Sequence, residues 1–100
     1  MLQAQVELPL ETIRAICRRY GVRELAIFGS ALREDFHTES DVDFLVDFQP
    51  EARASYITLF RMQDDQSEAV RRRVDLVPKG GLKPLIRDEV LAQAQVIYAT

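Results

Sequence analysis

One hundred residues with a formal charge of −3, 47% of them hydrophobic and 29% charged, supply enough apolar surface for one core and leave little room for a second lobe, so residues 1–100 are expected to form a single domain. That composition excludes a disordered chain, and the acidic balance argues against a general nucleic-acid binder, which carries a basic excess to neutralise phosphate. No apolar run approaches membrane-spanning length and the first residues lack the charged-then-apolar pattern of a leader, so no membrane association and a cytoplasmic location are expected.

Pro9 and Leu10 open a helical pattern that runs to about Tyr20, where Gly21 is placed to stop it. The single cysteine, Cys17, has helical spacing with Ile13, Ile16 and Tyr20. This is the signature of a buried face, and it favours a packed thiol over a reactive one. Arg23 to Phe28 is short, apolar and ended by Gly29, so it reads as a strand that feeds into Ser30 and a short helical turn through Leu32 and Arg33. "DVDFLVDF" then alternates, placing Val42, Phe44, Val46 and Phe48 on one face and Asp41, Asp43, Leu45 and Asp47 on the other, with Pro50 closing the strand.

Ser55 is a suitable N-cap for a helix from Tyr56 to about Arg72, with Ile57, Leu59, Phe60, Met62 and Val70 read as core. Val74 to Val77 forms a third strand stopped by Pro78, Pro84 starts a last helix reaching about Ala94, and "QVIYA" adds a short terminal strand. The alternation of helices and strands predicts an α/β (α+β) chain: a small mixed sheet flanked by helices. Arg71, Arg72 and Arg73 form the one dense basic cluster, read as a solvated helix end or as a contact for phosphate or an acidic partner. Tyr56 and Tyr98 read as packing residues, His37 as a solvated loop residue, and Lys79 to Lys83 as a plain turn.

Two carboxylates spaced two apart on a strand project to the same face and repel one another, so a cation is expected between Asp41 and Asp43. Oxygen donors of this kind suit Mg²⁺ or Mn²⁺ shared with substrate phosphates. Asp75, in the next apolar strand, could complete the set as a third carboxylate or serve as a general base. Gly29 lets the backbone approach a ligand, while a helix start at Ser30 would offer N–H groups and a hydroxyl to phosphate oxygens. Either fragment alone is more often a turn; strand context around both, with a third aspartate downstream, reverses that balance.

Gly29-Ser30, ten residues, then Asp41-Val42-Asp43 resembles the GSx10DxD signature of the minimal nucleotidyltransferases of the DNA polymerase β-like superfamily. The resemblance continues through "RRVDLVPKGGLKP" and "LIRDEVLAQAQVIYA" and so covers nearly the whole chain. It implies the polymerase β-like nucleotidyltransferase fold, Gly29 and Ser30 at a triphosphate, Asp41 and Asp43 on Mg²⁺ or Mn²⁺, and Asp75 as third carboxylate. Many relatives have Arg-Gly shortly after Gly-Ser, whereas Arg33 is followed by Glu34 and Asp35, so Arg33 reads equally as a phosphate contact or a solvated arginine. Larger relatives attach a helical acceptor-binding domain; 100 residues leave little room for one, so the acceptor is expected to come from elsewhere. Stand-alone members resemble MntA-type antitoxins paired with a HEPN ribonuclease toxin, and the resemblance implies transfer of AMP from ATP to a toxin tyrosine. The alternatives are neutralisation by binding alone, or transfer to another acceptor.

Overall fold

A computed structural model describes residues 8–32 and 40–100. Helix α1 (Leu10–Tyr20) leads into strand β1 (Val22–Phe28), a 3₁₀ turn (Gly29–Leu32) and strand β2 (Val42–Phe48). Helix α2 (Tyr56–Val70), strand β3 (Val74–Pro78), helix α3 (Pro84–Gln93) and strand β4 (Gln95–Ala99) follow. The sheet order is β3-β2-β1-β4, with β1 antiparallel to β2 and β4, and β3 parallel to β2. The mixed sheet expected from the sequence is therefore present.

Local chemistry explains the boundaries. Gly21 takes a left-handed φ of +73° and its amide donates to the Arg18 and Cys17 carbonyls, satisfying the end of α1. The Ser55 side chain accepts from the Thr58 amide at the start of α2. That helix ends at Val70, sooner than the sequence suggested, because Arg71 turns left-handed at φ +60°.

Helices α1 and α2 cover one sheet face, where Ile13, Cys17, Leu25, Ile27, Phe44, Val46 and Met62 meet in the core. Tyr98 is buried as expected, but α2 departs from its apolar pattern. Tyr56, Ile57 and Phe60 are 79%, 64% and 60% exposed, whereas Gln66 sits fully buried between Met62 and Val70. The helix turns Met62, Gln66 and Val70, spaced four apart, toward the sheet, which rotates Ile57 and Phe60 away. The buried glutamine donates to Cys17 Sγ at 3.8 Å, while its Oε1 finds no hydrogen-bond partner among the described residues.

Burial pushes the Cys17 thiol up to about 12 from an ordinary 9.0, outweighing the Gln66 contact and nearby Arg18. The folded chain thus keeps the thiol protonated where the unfolded chain would ionise it. The resulting stability is fully present below pH 9 and is lost as pH rises from about 9 towards 12. Chemical denaturation at stepped pH should show the stability advantage of wild type over Cys17→Ala narrowing across that window. A constant difference would refute this reading.

The second sheet face mixes apolar and charged residues. Ala26 and Leu45 are buried there as partners across β1 and β2, beside Glu24, Asp43 and Asp47. Arg23 pairs with Asp47 at 3.4 Å and Lys79 with Glu24 at 3.6 Å, so Asp47 and Lys79 each belong to an ion pair. Helix α3 buries none of its residues, and Leu85 is 98% exposed. No helix among the described residues is long and apolar enough to cross a membrane.

Candidate active site

Strand β1 delivers its last residue, Phe28, opposite Asp43 of β2. The chain then turns at Gly29, whose φ of +75° lies in the left-handed region that glycine occupies without strain. A Cβ at this position would stand 2.5 Å from Asp43 Oδ2 and 3.3 Å from its Cγ. The Asp43 carboxylate is therefore packed directly against the bare backbone of the Gly-Ser turn. The two halves of the sequence signature meet here.

The parallel register places Asp43 directly beside Asp75 on β3, and such partners carry their side chains to the same face. Asp75 lies in an apolar strand, as expected, between buried Val74 and Leu76, and its own side chain is exposed on this edge strand. Side chains of α2 cover the outer edge of β3: the Val74 amide donates to Ser67 Oγ at 3.0 Å and the Leu76 amide to Gln63 Oε1 at 2.9 Å. These bonds flank Asp75 on both sides. They fix the strand that carries it and cap an edge that would otherwise invite another chain.

Asp41 stands one residue ahead of β2 and is exposed. Its neighbours are pinned, since the Val42 amide donates to the Arg73 carbonyl at 3.0 Å and Arg72 Nη1 donates to the Ser40 carbonyl at 3.4 Å. Sequence reasoning read the arginine cluster as a solvated helix end or a partner contact. Arg72 instead ties the end of α2 to the approach of Asp41, and only its place just before the third-aspartate strand hinted at that.

Among the described residues, no group of three or more His, Cys, Asp or Glu side chains is close enough to hold a metal ion by itself. The three-carboxylate cluster expected from the sequence is thus not gathered into a protein-only cage. Two carboxylates beside the Gly-Ser turn fit a hard divalent cation, because Mg²⁺ commonly takes one or two protein carboxylates and completes its shell with phosphates and water.

The short helical turn expected here is a four-residue 3₁₀ segment, Gly29–Leu32. Its aligned dipole is correspondingly small, so any attraction for phosphate rests on local N–H groups. Arg33 and His37 lie outside the described residues. A cleft of about 770 Å³ opens from Gly29 and Leu32 toward Glu89, Gln93 and Gln95 at the junction of α3 and β4, a feature no local sequence pattern signals.

Residues 10–97 match the nucleotidyltransferase domain family. The chain is 40% identical over 80 residues to the protein adenylyltransferase MntA of Thermococcus cleftensis, covering 80% of this chain and 77% of that protein. Its fold is similar to a chain from a toxin–antitoxin crystal structure with AMP-PNP, at a TM-score of 0.76 and 21% identity, covering 93% of this chain and 75% of the other. It is also similar to a chain from the complex of a tri-AMPylated HEPN toxin with its MNT antitoxin from Shewanella oneidensis, at a TM-score of 0.67 and 19% identity, covering 91% and 70%. With the Gly29-to-Asp43 packing, these likenesses show that the chain belongs to the nucleotidyltransferase domain family and is an enzyme of its minimal, MntA-like kind.

Proposed function

We propose that this nucleotidyltransferase is the antitoxin of a toxin–antitoxin pair and transfers AMP from ATP to a tyrosine of a HEPN ribonuclease partner. The observation that carries the reading is the packing of the Asp43 carboxylate against Gly29, with Asp75 in register beside it. Phosphates at the Gly-Ser turn would lie next to the carboxylates that serve their transfer. Identity to an MntA protein adenylyltransferase supports a protein acceptor. Exposed Tyr56, Ile57 and Phe60 add an apolar patch of the sort that marks protein interfaces.

In this reading Gly29 admits the triphosphate to the backbone, and Ser30 binds it through its amide and hydroxyl. Asp41 and Asp43 would hold Mg²⁺ or Mn²⁺, which when bound offsets phosphate charge and polarises the phosphoryl oxygens. Asp75 takes the proton of the acceptor phenol. The phenolic oxygen forms a bond to the α-phosphorus, the bond from that phosphorus to the bridging oxygen of the β-phosphate breaks, and pyrophosphate leaves. An activated phenol is a competent nucleophile for this step.

Mass spectrometry of the purified partner toxin after incubation with this chain, ATP and Mg²⁺ tests the proposal. The expected result is a mass increase by one or more AMP groups, located to tyrosine. An unmodified partner would sink it.

A further inference from the structure

Helix α3 is anomalous for a helix that joins two strands of one sheet. Such helices normally bury an apolar stripe, yet α3 buries nothing. Glu89, Ala92 and Gln93 share one face at spacings of three and four, and this face lines the cleft of about 770 Å³ that ends at Gly29 and Leu32. The volume falls within the range of roughly 300–1,000 Å³ typical of small-molecule sites.

Resting on the adenylyl-transfer reading above, we infer that this cleft seats the ribose and base of the nucleotide, and that Gln93 and Glu89 select adenine. Gly29 belongs both to the cleft and to the packing around Asp43, so a nucleotide with its phosphates at the turn has the cleft directly before its other end. The titratable group among the described lining residues, Glu89, is acidic. It repels phosphate and accepts hydrogen bonds from ribose hydroxyls or an exocyclic amine, which orients the neutral nucleoside inward and the phosphates toward the turn. A glutamine carboxamide offers one donor and one acceptor side by side, matching the adenine N6 and N7 positions. Leu32 supplies an apolar surface for the base, and Ala92 leaves it room.

Titration calorimetry on the full chain with Mg²⁺, using a non-hydrolysable ATP analogue, its GTP counterpart and inorganic triphosphate, tests this assignment. Gln93→Ala should weaken the ATP analogue about 10-fold and reduce its preference over the GTP analogue, while triphosphate affinity stays the same. Ala92→Trp, which fills the cleft from an exposed position, should also weaken both nucleotides and spare triphosphate. Unchanged nucleotide affinity in both variants overturns the inference, and so does an equal loss for triphosphate, which would mean that the substitutions disturb the turn. If they change only the KM for the partner protein, the cleft holds the acceptor and the inference fails. A wild-type chain that binds neither nucleotide nor triphosphate would instead bring down the transfer reading on which the inference rests.

Discussion

Replacing Asp41 and Asp43 together by asparagine is expected to lower AMP transfer to the partner by about 10³-fold or more while leaving the fold intact. Asparagine keeps the size of each side chain and one acceptor oxygen but removes the charge that would hold a divalent cation, and three decades of rate correspond to about 4 kcal/mol of lost transition-state stabilisation. Stability should change little. Asp41 is exposed ahead of β2, and the core face of that strand is built from Val42, Phe44 and Val46, none of which is touched. Transfer is read by the mass of the partner and folding by thermal melting. Retained transfer would show that these carboxylates are not the metal site. Protection of cells by the same double variant would separate two roles: if toxicity remains neutralised without transfer, the chain acts by covering its partner, and the exposed surface of Tyr56, Ile57 and Phe60 becomes the functional element.

The sequence carried the elements, but not how they meet. Strand alternation in residues 42–48 and the glycine after Tyr20 are local signals, and the observed strand and helix end follow them. The pairing of Asp43 with Asp75 is a long-range outcome: it arises because α2 carries the chain back to lay β3 parallel to β2. No window of sequence contains it. The α2 core was misread for a related reason. Apolar residues at 57, 59, 60, 62 and 70 allow more than one buried stripe, and the fold chooses the one with Gln66 at its centre and Phe60 outside. Gln63 and Ser67 look like ordinary surface residues until β3 lies beside them and its amides need acceptors. Helix α3 was legible as a helix, but not as the wall of a cleft, because that role depends on what it fails to bury.

The two left-handed glycines give a controlled test of why the signature needs glycine. Gly21 and Gly29 have nearly the same φ, +73° and +75°, so alanine at either position carries a similar backbone cost of about 1–2 kcal/mol. Both are also crowded: a Cβ at Gly21 would meet Ala52 Cβ at 2.7 Å, and one at Gly29 would meet Asp43 Oδ2 at 2.5 Å. The neighbours differ in consequence. At Gly21 the clash falls on Ala52, in the short 3₁₀ turn Pro50–Ala52 that follows β2, whereas at Gly29 it falls on the carboxylate proposed to serve transfer, which must swing aside to admit the methyl group. Both Gly21→Ala and Gly29→Ala should therefore lose stability in chemical denaturation, about 2 kcal/mol once crowding is added, with Gly21→Ala losing at least as much because Ala52 Cβ has no rotamer to move into. Transfer per folded molecule should stay near wild type for Gly21→Ala and fall about 10²-fold for Gly29→Ala, since displacements on the ångström scale at a reacting centre have effects of that size. Equal activity per folded molecule in the two variants would reduce Gly29 to a turn residue, and the contact with Asp43 to packing without catalytic consequence.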